Sequence, residues 1–288
     1  MRKFLLVAAA VALTLTAARA EPVKIVAAEN FYGDVAKQLG GANVSVSSIL
    51  TNPDQDPHLF EASASTARSI ADARIVIFNG ADYDPWMVKL LSASPRSSRE
   101  VVEVAALVDK KAGDNPHLWY DPNTMPALAK RLTALLATVD SDHRANYQQR
   151  LTRFERTLKP LNEKIAMLRQ KYAGVPVTAT EPVFGYMATA IGVNMRNEDF
   201  QLAIMNNSEP SPSQIAAFEK DLRTRTVKVL LYNNQASEET TKKMQAIAKD
   251  TGVPVVGISE TEPPGTTFQE WMLSQLNALE AALGGNQR

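Results

Sequence analysis

Residues 142–172 read DHRANYQQRLTRFERTLKPLNEKIAMLRQKY, and this stretch decides the fold class. Apolar side chains recur in it at the spacing of one helix face, as Leu151, Phe154 and Leu158 illustrate. A continuous helix of this length would extend about 46 Å at about 1.5 Å per residue. Pro160 lies inside it, and we expect the proline to bend the helix without ending it. The sequence therefore predicts one long helix that joins two other parts of the chain.

On both sides of this helix, short apolar runs alternate with helical patterns. The predicted strands are residues 23–27, 44–50, 73–78 and 101–104 before the helix, and residues 175–180, 227–232 and 253–258 after it. Such alternation is typical of a mainly parallel sheet covered by helices on both faces. We therefore predict an α/β protein of two lobes, each with a mainly parallel sheet flanked by helices. The predicted divisions are residues 21–140 for the first lobe, 141–173 for the linking helix and 174–288 for the second lobe.

The N-terminus has the pattern of a secretory signal peptide over residues 1–20. Arg2 and Lys3 precede a short apolar run, and Ala18-Arg19-Ala20 forms a small-x-small cleavage site. The apolar run is short for a membrane span, which needs roughly 20 residues. A buried N-terminal helix is the alternative. We expect export, with a mature chain that begins near Glu21.

The 288 residues include no cysteine. Its absence excludes disulfides, thiolate metal sites, cysteine nucleophiles and a lipid-modified cysteine after the signal. We therefore expect a periplasmic protein that is free in solution and not lipid-anchored. Loss of the signal would leave 28 basic and 31 acidic residues. No basic stripe with interleaved aromatic residues is present, so we expect no nucleic-acid partner, and we expect a monomer.

The chain has three histidines, and two of them have closely similar surroundings. His58 follows Asp56-Pro57, and His117 follows Asn115-Pro116. A preceding proline stiffens the backbone, which suits a preorganised ligand, and neutral imidazole is a common ligand of transition metals. A solvated loop side chain is the alternative for each. His143 lacks this context, and we interpret it as an exposed surface residue.

Two glutamates follow predicted strands of the second lobe. Glu181 ends the strand at 175–180, and Glu260 comes shortly after the strand at 253–258. Ligands of open α/β sheets bind in the crevice beyond the carboxyl ends of the strands. Both acids are therefore candidate ligands, with solvated loop carboxylates as the alternative.

Several motifs resemble the zinc- and manganese-type solute-binding proteins of ABC importers. They are Asp56-Pro57-His58-x-Phe60-Glu61, Ala71-Asp72-x5-Phe78-Asn79-Gly80, Asn115-Pro116-His117-Leu118-Trp119 and Glu181-x2-Phe184-x-Tyr186. The resemblance implies two α/β lobes bridged by a rigid helix, with one metal ion in the inter-lobe cleft. It also implies delivery of that ion to an inner-membrane permease and its ATPase, and no enzymatic activity.

The same resemblance implies four metal ligands: His58, His117, Glu181 and Glu260. Many members have Asp at the fourth position, and Glu262 lies two residues further on, so Glu260 and Glu262 both stay candidates there. Two imidazoles with two carboxylates favour Mn²⁺ through the oxygen ligands, whereas the usual order of affinities favours Zn²⁺. We predict one divalent ion, Mn²⁺ or Zn²⁺, with Fe²⁺ ranked third.

Two alternatives use the same residues differently. A secreted metallohydrolase would keep an open metal position beside a general base, but neither Gly-x-Ser-x-Gly nor His-Glu-x-x-His occurs. A binding protein for a siderophore or another organic metal chelate would need an aromatic or arginine-lined cleft. Trp86, Trp119 and Trp271 are the candidates for such a lining.

Overall fold

The computed structural model describes residues 21–54, 60–235 and 238–285. The predicted signal peptide, residues 1–20, and the candidate ligand His58 lie outside the described residues. Within the described ranges, no helix is both long enough and apolar enough to cross a membrane.

The first lobe contains a parallel sheet of four strands. They are β1 (Val23–Glu29), β2 (Val44–Leu50), β3 (Ile75–Phe78) and β4 (Glu100–Glu103), in the order β2-β1-β3-β4. Five helices cover it: α1 (Asn30–Gly40), α2 (Ala64–Asp72), α3 (Pro85–Ala93), α4 (Val104–Leu107) and α5 (Thr124–Val139). All four side chains of β3 are buried, as expected for a central strand covered on both faces.

Two helices, α6 (Arg144–Thr157) and α7 (Lys159–Tyr172), then join the lobes. The predicted single helix is therefore interrupted at Leu158, which lies between them with φ −79° and ψ −13°. Pro160 is the second residue of α7, and its missing N–H is tolerated in this first turn. The bend is confirmed, but the helix ends at Thr157 and a second helix begins at Lys159, where one continuous helix was predicted.

The second lobe repeats the architecture of the first. Its strands are β5 (Pro176–Ala179), β6 (Asn194–Arg196), β7 (Leu230–Asn233) and β8 (Val255–Ile258), all parallel and in the order β6-β5-β7-β8. Its helices are α8 (Gly185–Ile191), α9 (Glu198–Met205), α10 (Pro212–Arg223), α11 (Glu239–Thr251) and α12 (Phe268–Gly285). The predicted fold class of two parallel-sheet lobes is confirmed.

A continuous hydrophobic core connects the two lobes. It includes one face of each sheet, α1, α5, both linking helices and α12. At its centre an aromatic cluster combines first-lobe and second-lobe rings. Tyr120 packs against Phe184 at 5.3 Å and against Trp271 at 6.0 Å between ring centroids. Phe31 lies 4.7 Å from Trp119 and 5.7 Å from Trp271. These rings are buried, so they form a closely packed aromatic layer between the lobes.

Candidate metal centre

The carboxyl ends of the two sheets face each other above the aromatic cluster. From the first lobe, the loop between α4 and α5 supplies His117. From the second lobe, Glu181 follows β5, Asn233 ends β7 and Glu260 follows β8. All four residues are buried, with exposed fractions between 0% and 6%. Polar side chains that converge in a buried place need partners or a ligand to compensate for the loss of water.

His117 is held with one ring nitrogen directed at the second lobe. Its Nδ1 lies 2.6 Å from Oδ1 of Asn115, and its backbone N–H donates to the same oxygen. The Asn115 amide nitrogen donates to the carbonyl of Pro182 at 2.8 Å, which fixes the amide orientation. Since Oδ1 only accepts, the proton of the neutral ring lies on Nδ1. The Nε2 atom then carries the lone pair that a metal would bind, and this arrangement is common for histidine ligands.

Glu260 contacts both His117 and a tyrosine of the first lobe. Its Oε2 lies 3.3 Å from His117 Nε2 and accepts a hydrogen bond from the Tyr83 hydroxyl at 3.1 Å. Burial, and then the Glu260 charge, raise the pKa of Tyr83 well above its ordinary value. The Tyr83 hydroxyl therefore stays protonated and donates. The Glu260 backbone N–H donates to Oε1 of Gln235 at 2.7 Å, which fixes the loop beneath the carboxylate.

Glu181 joins this group through Asn233. The Asn233 amide nitrogen lies 3.3 Å from each carboxylate oxygen of Glu181 and 2.6 Å from Oε1 of Glu260. Glu181 has an extended backbone, and Pro182 directly after it starts a short 3-10 turn. The two glutamates therefore share one amide nitrogen as a hydrogen-bond donor.

Glu262 belongs to a different environment. Its backbone N–H and carbonyl both bond to the side chain of Asn30, at 3.1 Å and 2.7 Å. Its pKa is raised to about 8, first by burial and then by the nearby charge of Asp34. Of the two candidates for the fourth ligand, Glu260 is the one that lies against His117.

The structure thus brings together three of the four predicted ligands: His117, Glu181 and Glu260. Among the described residues, no three His, Asp or Glu side chains converge closely enough to hold an ion by themselves. His143 precedes α6 and pairs with Asp140 at 2.9 Å, and its side chain is 38% exposed.

Sequence reasoning missed Asn115, Tyr83 and Asn233 as polar neighbours of the ligands. Asn115 lies inside the quoted Pro-His motif, and Asn233 directly follows the predicted strand 227–232. The position of Asn233 carried a usable signal, because polar residues at the carboxyl ends of parallel strands face the ligand crevice. Asn115 lies in the loop between α4 and α5, and its signal was its place two residues before the candidate ligand His117. No comparable pattern marks Tyr83.

Two curated relatives are similar to this chain over almost its whole length. One is the manganese ABC transporter substrate-binding lipoprotein PsaA of Streptococcus mitis, 22% identical over 291 residues, which cover 93% of this chain and 91% of that protein. Another is the iron ABC transporter substrate-binding lipoprotein MtsA of Streptococcus pyogenes serotype M1, 22% identical over 304 residues, with 97% and 94% covered.

A solved structure has the same fold. The periplasmic zinc-binding protein TroA from Treponema pallidum superposes with a TM-score of 0.77, at 19% identity, and the match covers 91% of this chain and 99% of TroA. The two parallel-sheet lobes and the bent helical link are thus an architecture known from solved proteins.

The relatives correct the predicted localisation. The expectation of a protein that is not lipid-anchored rested on the absence of cysteine, and it is wrong by this comparison, because PsaA and MtsA are named lipoproteins. The absence of one residue type addresses only one chemical route of attachment, and it was too narrow a basis for that prediction. The relatives support the coarser statement of an extracellular or periplasmic location.

The family match extends across both lobes and the link between them. Residues 25–282 match the family described as ZnuA, zinc-uptake complex component A, periplasmic. Proteins of this kind are the substrate-binding components of ABC importers. Such a component works with a permease and an ATPase and is not itself an enzyme. By this match, the chain belongs to the ZnuA family of metal-binding components of ABC importers.

Proposed function

We propose that this protein captures one divalent transition metal ion, Mn²⁺ or Zn²⁺, between its lobes and delivers it to an ABC importer. The proposed ligands are His58, His117, Glu181 and Glu260. One observation carries the proposal: the buried His117 Nε2 lies 3.3 Å from the buried Glu260 Oε2, and the two residues come from different lobes.

The chemistry of these groups suits a divalent cation. Two neutral imidazoles and two ionised carboxylates give a ligand set of charge −2, which one divalent ion balances. Buried carboxylates are costly without a compensating charge, and a bound ion removes that cost. The oxygen ligands favour Mn²⁺, and the affinity order favours Zn²⁺. The manganese, iron and zinc named for the similar proteins fall within the same class of ion.

An organic metal chelate is a less suitable ligand. Trp119 and Trp271 are 1% and 2% exposed within the aromatic cluster, so they have no free face for a chelate. Trp86 packs against Phe60 at 4.6 Å between ring centroids. The rings that would have to line a chelate site therefore already pack against other aromatic side chains.

Elemental analysis with binding titrations tests the proposal. The chain is stripped with a chelator and titrated with Mn²⁺ and with Zn²⁺, and we expect one ion per chain. His58→Ala and His117→Ala should each lower the affinity by orders of magnitude, while His143→Ala, the matched control, should bind like the parent. Equal binding by all three variants would contradict the ligand set, and binding of a metal chelate but not of the free ion would contradict the substrate.

Three further expectations belong to the same proposal. Residues 1–20 would act as the signal peptide, and residues 21–140, 141–173 and 174–288 would form the first lobe, the helical link and the second lobe. The protein would be a monomer without a nucleic-acid partner. Light scattering of the metal-free and metal-bound protein tests the oligomeric state.

A further inference from the structure

Asn233 lies between the two proposed carboxylate ligands. It ends β7, the strand that pairs with β5 on one side and with β8 on the other. Glu181 and Glu260 follow those two neighbouring strands. The Asn233 side chain is 5% exposed, and its amide nitrogen is within 3.3 Å of both carboxylates.

The orientation of this amide is determined by the backbone around it. Its Oδ1 accepts a hydrogen bond from the backbone N–H of Gln235 at 3.0 Å, and that group can only donate. The Nδ2 atom must therefore face the carboxylates, with one N–H available for each of them. The backbone N–H of Asn233 donates to the Thr180 hydroxyl at 3.2 Å, so the residue is also fixed to the strand end that leads into Glu181.

We propose that Asn233 is a positioning residue that sets the spacing of Glu181 and Glu260 and thereby the metal preference of the site. The inference rests on the proposed function, because it takes both glutamates as ligands. Two ionised carboxylates repel each other in a buried place, and one amide NH₂ group that donates an N–H to each of them keeps them side by side. Because the amide is neutral, it does this without changing the charge of −2 that a divalent ion balances.

Two substitutions of Asn233 separate its hydrogen-bond donors from its neutral charge. Asn233→Leu keeps the branching at Cγ and removes both donors, so the carboxylates lose their common partner. Removal of a group that orients metal ligands typically costs 10-fold to 100-fold in affinity, and we expect a loss in that range for both Mn²⁺ and Zn²⁺. Asn233→Asp keeps the shape but adds a third carboxylate, a hard oxygen ligand. We expect it to raise the ratio of Mn²⁺ affinity to Zn²⁺ affinity about tenfold over the parent, since oxygen ligands favour Mn²⁺.

Competitive titration of each variant against a chelating indicator measures both affinities. Asn234→Leu is the matched control, because Asn234 is the next residue along the chain and is exposed. It should bind both metals like the parent. The absorption spectrum of bound Co²⁺ adds a readout of ligand geometry, and it should change in Asn233→Leu but not in the control.

The outcomes distinguish this inference from the proposed function. If Glu181→Ala and Glu260→Ala lose binding while Asn233→Leu stays within twofold of the parent, the positioning role is wrong and the ligand set stands. If neither glutamate variant loses affinity, the ligand set itself is wrong. If Asn233→Leu does not fold, Asn233→Asp decides: an unchanged ratio of Mn²⁺ to Zn²⁺ affinity overturns the inference.

Discussion

The hydroxyl of Tyr83, in the first lobe, donates to Oε2 of Glu260, in the second, at 3.1 Å. Two neighbouring contacts also join first-lobe side chains to the loop that carries Glu260. The Tyr120 hydroxyl donates to the carbonyl of Ser259 at 2.8 Å, and the Asn30 side chain bonds to the backbone of Glu262. The loop that carries Glu260 is therefore attached to the first lobe on both sides of the proposed ligand. Glu260 is part of the second lobe by chain connectivity, but its position depends on side chains of both lobes.

Loss of the Tyr83 hydroxyl should weaken metal binding without unfolding the protein. Tyr83→Phe keeps the ring that packs 5.0 Å from Trp119 and removes the hydroxyl that donates to Glu260. A hydrogen bond to a charged group contributes about 1.5 to 3 kcal/mol, so we expect the affinity for either metal to fall by about tenfold or more. Isothermal titration of the stripped protein measures this change. A parent-like affinity would show that the hydroxyl does not orient the carboxylate.

Metal binding should raise the melting temperature, and acid should abolish the increase. An ion bound only by the native state stabilises it by about 4 kcal/mol at a thousandfold excess over Kd. Protons compete with the ion for imidazole nitrogens and carboxylates, so the shift should disappear as the pH falls. Calorimetric scans with and without Mn²⁺ or Zn²⁺ at pH 7.5 and pH 4.5 measure it. A shift of the same size at both pH values would argue against histidine ligands.

Glu181→His should convert the site to three imidazoles and one carboxylate. That nitrogen-rich set should favour Zn²⁺ over Mn²⁺ more strongly than the parent does, and Glu181→Ala should weaken both metals. Competitive titration with a chelating indicator gives the ratio of the two affinities. An unchanged ratio in Glu181→His would remove Glu181 from the site.

Glu262 should affect stability and not metal affinity. Its pKa rises from 4.5 to about 8 in the folded protein, so between these values the folded state holds a proton that the unfolded state releases. This contribution to stability is complete below about pH 4.5 and is lost as the pH rises through about 8. Glu262→Gln should therefore match the parent near pH 4.5 and become increasingly more stable than the parent towards pH 8. Urea unfolding of the metal-free protein across this range checks the sign.

Glu260, two residues before Glu262 and proposed as the metal ligand, provides the comparison for the Glu262 variants. Glu260→Ala should lose metal binding, whereas Glu262→Gln and Glu262→Ala should bind like the parent. A larger loss from Glu262→Ala than from Glu260→Ala would move the fourth ligand two residues along the chain.

Strands and helices with a strong apolar period were predictable from the sequence. The strand at 44–50 has the predicted bounds, and the strand predicted at 253–258 contains β8. The edge strand β6 and the helix α9 after it were missed. Strand β6 has the polar sequence Asn-Met-Arg, and its single partner strand, β5, holds it in place by backbone hydrogen bonds that leave no periodic pattern in the side chains.

The candidate ligands could be proposed from the sequence, but their arrangement could not. Position after a strand made Glu181 and Glu260 candidates, and the repeated Pro-His context made His117 one. The choice between Glu260 and Glu262 depended on Asn30, a residue more than 200 positions away, whose contact with Glu262 comes from how the lobes pack. Tyr83 was missed for the same reason, because its role is set by a tertiary contact, whereas Asn233 directly follows the predicted strand at 227–232 and could have been identified.

X-ray absorption at the zinc edge tests the central claim most directly, because it counts the imidazoles bound to the ion. The claim predicts one Zn²⁺ per chain with two imidazoles and carboxylate oxygens around it. His58→Ala and His117→Ala, measured under conditions that still load the ion, should each leave one imidazole, and His143→Ala should leave two. A parent site with no imidazole, or a site that loses an imidazole in His143→Ala and keeps both in His117→Ala, would contradict the account.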